Sequence, residues 1–189
     1  MRLRDSGMPD ESYWETLFDV PLILNALGID RIHDVAELGC GYGTFTIPIA
    51  RAISGVVYTF DIEPTMVART KERAGTLPVV AQVRDVMQHG FGITADAVLL
   101  FNILHCENPQ TLLRHAANAL RPGGRLLVIH WRYGETPRGP SLDIRPRPEQ
   151  IIGWSDLRLV RDVIDLPPWH YGLQFAHDKR PPRSKPARS

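Results

Sequence analysis

Between Tyr13 and Leu27, apolar residues recur mostly at three- and four-residue intervals, the period of a helix lying on a core. Pro21 splits this run into two short helices, and Gly28 closes the second. Strand-like and helix-like pieces then alternate. His33–Leu38, Val56–Asp61, Val79–Arg84, Ala95–Phe101 and Arg125–His130 are short, nearly continuous apolar runs and predict strands. Thr44–Ser54, Pro64–Ala74 and Pro109–Leu120 predict the intervening helices; Pro64 and Pro109 sit at first-turn positions, and Pro122-Gly123-Gly124 ends the last helix. Strands buried on both sides and separated by helices imply a parallel sheet covered on both faces.

Beyond the fifth strand the rhythm changes. Residues 134–148 are rich in glycine and proline and predict a long loop. Pro148–Ser155 predicts a short helix, and Leu157–Leu166 and Tyr171–His177 predict two more strands joined by Pro167-Pro168-Trp169-His170. The expected organisation is one domain over residues 1–178, with the helices of 11–28 as a candidate lid, and a disordered basic tail over 179–189.

Charge and cysteine content narrow the picture. The net charge is +1, yet residues 179–189 hold five basic side chains and no acidic one, so residues 1–178 carry −4. A mildly acidic body offers no general field for nucleic acid, and none is expected as a partner. The two cysteines, Cys40 and Cys106, form no Cys-x-x-Cys pair, which argues against a zinc or dithiol site; no metal is expected. The longest apolar run is too short to span a bilayer and the first ten residues do not resemble a signal peptide, so a cytoplasmic protein without membrane contact is expected.

The most informative segment is Val35-Ala-Glu37-Leu-Gly39-Cys40-Gly41-Tyr-Gly43. An acid ends a strand, and glycines follow at alternate positions before a helix. Such a turn lets a ligand approach the backbone at the carboxyl edge of a parallel sheet. A dinucleotide fingerprint would put its third glycine at Thr44 or Thr46, so a pyrophosphate turn, and with it a nicotinamide oxidoreductase, is disfavoured. Asp61 ends the second strand eighteen residues past Gly43, where an acid can accept ribose hydroxyls.

The Glu-x-Gly-x-Gly-x-Gly segment resembles motif I of the class I, Rossmann-like S-adenosylmethionine-dependent methyltransferases. Four more elements follow in the family's order: Asp61-Ile62, Arg84-Asp85-Val86, Phe101-Asn102-Ile103-Leu104-His105, and Leu120-Arg-Pro-Gly-Gly-Arg. The resemblance implies an α/β three-layer sandwich with a mostly parallel, seven-stranded, doubly wound sheet and an antiparallel C-terminal strand. It implies S-adenosylmethionine as cofactor and S-adenosylhomocysteine as product. By position it assigns cofactor contacts to Glu37, Gly39, Cys40, Gly41, Gly43, Asp61, Ile62, Asp85, Val86, Phe101, Asn102 and His105, with Asp85 opposite the adenine amine.

The acceptor is less legible. The family's base-directed amino-methyltransferases carry Asn/Asp-Pro-Pro-Tyr/Phe where this chain has Phe101-Asn102-Ile103-Leu104, and its cytosine C5 enzymes carry a Pro-Cys nucleophile where Cys106 follows His105. What remains is a small-molecule acceptor. His130 and His170 are candidate bases; Trp14, Trp131 and Tyr171 are candidate acceptor contacts, against the alternative that these aromatics are packing residues. Arg138, Arg145 and Arg147 are either solvated loop charges or a grip on an anionic acceptor. Two other readings stay open: a non-catalytic cofactor-binding regulator, and a methyltransferase directed at RNA or protein through the basic tail. Oligomeric state is not encoded in any of these patterns.

Overall fold

The computed structural model describes residues 8–177. The expected basic tail of residues 179–189 lies outside them.

Five strands, β1 (Val35–Leu38), β2 (Val57–Asp61), β3 (Val79–Val83), β4 (Ala95–Phe101) and β5 (Leu120–Trp131), pair in parallel. β8 (His170–Ala176) runs antiparallel beside β5, and the sheet order is β3-β2-β1-β4-β5-β8-β6, with β7 also on β8. The order reverses at β1, so the carboxyl ends of β1 and β4 diverge there and open the crevice in which ligands of doubly wound sheets bind.

Alternate residues of each strand feed two separate cores. Ala36, Leu38, Val98, Leu100, Val128 and Leu173 face α6 (Pro109–Asn118) and α7 (Pro148–Trp154). Val35, Val57, Ala97, Leu99, Leu127 and Ile129 face α2 (Val20–Leu27) and α3 (Thr46–Ala52). α4 (Pro64–Ala74) covers β2 and β3. Burying each Leu, Ile or Val contributes roughly 1.5–3 kcal/mol, and this two-sided demand makes the strands read as unbroken apolar runs.

The structure departs from the sequence-based expectations in four places. The run 157–166 is two strands, β6 (Arg158–Leu159) and β7 (Ile164–Leu166), which makes eight strands instead of seven. Val160 still bonds to β8, but exposed Arg161-Asp162 takes the chain away from the ladder. Pro21 starts α2 instead of breaking a helix; the break lies between α1 (Glu11–Glu15) and Val20, where Asp19 accepts a hydrogen bond from the Leu22 N–H. Residues 120–124 extend β5, because Ala95 pairs with Leu120 across an irregularity in the ladder. A short helix, α5 (Val86–His89), follows Asp85, whose carboxylate caps it by accepting from the Gln88 N–H at 3.2 Å.

Candidate functional site

The glycine turn joins β1 to α3. Gly39, Gly41 and Gly43 have φ of 84°, 49° and 82°, a region that costs an L-residue side-chain strain. The turn is held from three sides. Asp61, at the end of β2, accepts the Gly41 N–H on Oδ2 at 3.1 Å and the Glu63 N–H on Oδ1 at 3.0 Å. From α4, Thr70 donates to the Gly41 carbonyl at 3.0 Å and Arg73 to the Tyr42 carbonyl at 2.9 Å. From the N-terminal segment, Met8 lies over Gly41, and the Pro9 carbonyl accepts the Tyr42 hydroxyl at 2.9 Å.

Glu37 points beneath the turn and is 2% exposed. Its carboxylate accepts from Thr46 at 2.5 Å and Thr59 at 2.8 Å. Burial pushes its pKa up to about 7 in spite of these two bonds, with the neighbouring Asp61 charge adding to the rise. A carboxyl poised this way gains a negative charge readily when a cation arrives above the turn. The Cys40 thiol is also buried, which pushes it up to about 12, and it lies 3.8 Å from Asp61 Oδ2. It is an inert small residue of the turn.

At the carboxyl end of β4, Phe101 meets Phe45 edge to face at 5.0 Å. Asn102 has φ 55°, and both its side-chain Oδ1 and Nδ2 are buried without a hydrogen-bond partner; the Thr44 hydroxyl is in the same condition. Buried polar atoms are rarely left unpaired, and here they flank the turn where the resemblance puts a cofactor. The residues fit S-adenosylmethionine: a left-handed glycine cradle, two acids for cationic and hydroxyl groups, and unspent amide and hydroxyl bonding capacity. Val86 is buried beside the Asp85 cap, and Ile62 is half-buried after Asp61.

The candidate bases do not share a pocket. His130 and His170 are both fully buried, and among the described residues neither ring has a well-formed hydrogen bond. They lie on opposite faces of the sheet, since His130 pairs in register with Tyr171 and Trp131 with His170. His170 stacks on Phe18 at 4.6 Å and packs on Trp131 at 4.3 Å, and burial drives its pKa down to about 3. Trp131 is 2% exposed and Trp14 packs on it and on Phe18, so this aromatic cluster seals the N-terminal helices onto the sheet. Tyr171 spends its hydroxyl on the Pro146 carbonyl at 2.8 Å. His130 instead faces His105, ring centroids 5.6 Å apart.

Arg145 is not a solvated loop charge. It is 7% exposed and donates to the carbonyls of Arg132, Gly134 and Pro140 and to the Thr136 hydroxyl, folding residues 134–146 around itself. Arg147 lies over the Tyr133 ring at 3.7 Å. Sequence reasoning missed Thr70, Arg73 and the contacts of Met8 and Pro9 with the turn. One signal was present: Glu11 and Glu15 on α1 and Arg69 and Arg73 on α4 are each four residues apart, and they interlock as ion pairs at 2.7–2.9 Å.

Comparison with known proteins is consistent with this geometry. Residues 35–124 match the family model described as a methyltransferase domain. No curated protein matches the chain. Among solved structures, the fold is similar to that of a SAM-dependent methyltransferase from Aquifex aeolicus (TM-score 0.76, 21% identity, 88% of this chain and 93% of that one). It is also similar to the N-methyltransferase NodS from Bradyrhizobium japonicum WM9 in complex with S-adenosyl-L-homocysteine (TM-score 0.68, 16% identity, 90% and 89% covered). An O-methyltransferase family protein from Burkholderia thailandensis gives TM-score 0.67 at 17% identity, over 85% of this chain and 56% of that one. Among the described residues no helix is long and apolar enough to cross a membrane, and no cluster of His, Cys, Asp and Glu could hold a metal ion.

Proposed function

We propose, from the premise that this chain belongs to the class I S-adenosylmethionine-dependent methyltransferases, that it transfers the cofactor's methyl group to a small-molecule acceptor. The observation that carries the reading is the glycine turn with Asp61 docked on Gly41 and the unpartnered Asn102 amide beside it. Glu37, Gly39, Cys40, Gly41 and Gly43 line one side of the cofactor, and Asp61 and Ile62 take the ribose. Asp85 and Val86 flank the adenine, and Phe101, Asn102 and His105 border the methionine end.

Bound S-adenosylmethionine supplies a methyl group already activated on a sulfonium. The protein's task is therefore orientation and exclusion of water, which can contribute on the order of 7–11 kcal/mol. The strap from Met8 to Glu15, tied to α4 by ion pairs, covers the turn and supports a lid role for the N-terminal helices. Residues 1–178 form the proposed catalytic domain. A small acceptor is supported by the mildly acidic body of the chain, which offers no general field for nucleic acid. Of the two candidate bases, His130 borders the crevice side with His105, and His170 serves the aromatic cluster.

Calorimetric titration with S-adenosylhomocysteine, with NADH in parallel, tests the cofactor assignment. Binding of the former alone is expected; binding of NADH alone refutes it. Turnover against small acceptors then separates an enzyme from a cofactor-binding regulator, and removal of residues 179–189 separates a small acceptor from RNA or protein, because only a macromolecular acceptor loses affinity.

A further inference from the structure

The cofactor assignment leaves a second group of unsatisfied polar side chains at the carboxyl ends of β4 and β5. His130 is the last residue of β5 on the α6 face; it is fully buried, and among the described residues neither ring nitrogen has a well-formed hydrogen bond. His105, in the turn after β4, meets it edge to face at 5.6 Å, and its Nδ1 is likewise buried and unpartnered. Leaving a buried donor or acceptor unpaired is costly, so the under-satisfied ring nitrogens of two adjoining histidines mark a site built to bind something polar.

The surroundings constrain what that is. Burial and the positive charge of Arg145 lower the pKa of His105; burial, His105, His170 and Arg145 lower that of His130 well below the ordinary value, against a weak hydrogen bond to the Trp131 backbone that raises it. Tyr171 packs from β8 with its ring 6.3 Å from His130, and its hydroxyl is committed to Pro146. Among the described residues no carboxylate acts on either histidine, and every hydrogen bond described for Arg145 goes to a carbonyl or a hydroxyl. Neutral imidazoles therefore lie beside a cation that has no counter-ion among the described residues. A cationic amine would bring a second positive charge without a counter-ion, and it donates hydrogen bonds only. A hydroxyl both donates and accepts, as each neutral imidazole does. A weakly basic histidine is also better matched to an acidic hydroxyl than to an aliphatic alcohol.

We propose, resting on the methyl-transfer reading above, that the acceptor is a neutral or anionic compound with an acidic hydroxyl of the phenol or enol class, that His105 removes the hydroxyl proton, and that His130 positions His105. The acceptor's O–H bond breaks to a His105 ring nitrogen while its oxygen forms a bond to the methyl carbon. The carbon–sulfur bond breaks with its electron pair left on sulfur. The products are a methyl ether, S-adenosylhomocysteine and an imidazolium, so the positive charge passes from sulfonium to His105, which returns the proton to water.

The test uses the full chain with S-adenosylmethionine and a panel of phenols and catechols matched with anilines and aliphatic amines of the same skeleton, reading S-adenosylhomocysteine release. Calorimetry with S-adenosylhomocysteine on every variant keeps cofactor binding separate from acceptor chemistry, and ring-nitrogen NMR of the S-adenosylhomocysteine complex with added catechol reports binding directly. Methylation of phenols and not amines is expected. His105→Gln is expected to lower kcat on the order of 10²–10⁴-fold, far more than it weakens S-adenosylhomocysteine binding, with the acid limb of the pH–rate profile gone. His130→Gln is expected to lower kcat less than His105→Gln does and to displace that limb, which a purely structural role would not produce. Preferential turnover of amines, His105-independent turnover of phenols, or neither turnover nor a catechol-induced shift in a protein that binds S-adenosylhomocysteine overturns the proposal. Failure to bind S-adenosylhomocysteine refutes the methyl-transfer reading instead.

Discussion

Glu37→Gln isolates the energetic cost of keeping a carboxyl beneath the glycine turn. Glu37 titrates near 7 in the folded protein against 4.5 for an unperturbed glutamate, because it is buried. Its protonated form is thus preferred by the fold. The stabilising contribution is fully present below pH 4.5 and is lost as pH rises through 7. Two and a half pKa units correspond to about 3 kcal/mol, of which about 2 kcal/mol falls between pH 5 and pH 8. His130 and His170 oppose this trend, since buried neutral histidines destabilise the fold as pH falls below 6.5. The wild-type pH profile alone therefore mixes the two effects. Urea unfolding of wild type and Glu37→Gln at both pH values, taken as a difference, cancels the histidines. The variant is expected to gain about 2 kcal/mol relative to wild type on going from pH 5 to pH 8, with equal urea dependence. In the same variant, S-adenosylmethionine affinity should fall more at pH 8 than at pH 5, because the anion that compensates the cofactor's cation is missing. A stability difference that does not change with pH would refute the buried-carboxyl reasoning.

Three further outcomes follow from other parts of the molecule. His170→Phe should stabilise the protein by about 2 kcal/mol more at pH 5 than at pH 8, since the ring sits between Phe18 and Trp131 with a pKa near 3; chemical unfolding at the two pH values measures it. Gly41→Ala should cost roughly 1–2 kcal/mol of stability through its φ of 49° and weaken S-adenosylhomocysteine binding at least tenfold, both readable by thermal shift and calorimetry. Arg145→Ala removes the hub of the 134–146 loop; about 2 kcal/mol of destabilisation and new protease cleavage within that loop are expected, and a loop as resistant as wild type would count against the hub.

The family and its cofactor were legible because their signals are local. A glycine at a left-handed turn, an acid at a strand end and a proline in a first helical turn are each specified by the backbone conformation of a few consecutive residues. The same locality explains why the alternation of strands and helices through β5 was readable, and why β6 and β7 were merged: their break depends on how each pairs with β8, not on the composition of residues 157–166.

The acceptor side was not legible, because nothing along the chain says which face of a sheet a residue occupies relative to distant partners. His130 and His170 looked equivalent as sequence; the antiparallel register of β5 with β8 put one beside His105 and the other between Phe18 and Trp131. Arg145 read as one of three loop arginines until folding gave it four hydrogen-bond acceptors and little solvent. The sequence by itself determined the turn, the order of elements and the kind of cofactor they hold. Only the tertiary structure decided which buried groups remain unpaired at the end of the sheet, because burial and hydrogen-bond satisfaction arise between residues far apart in the chain.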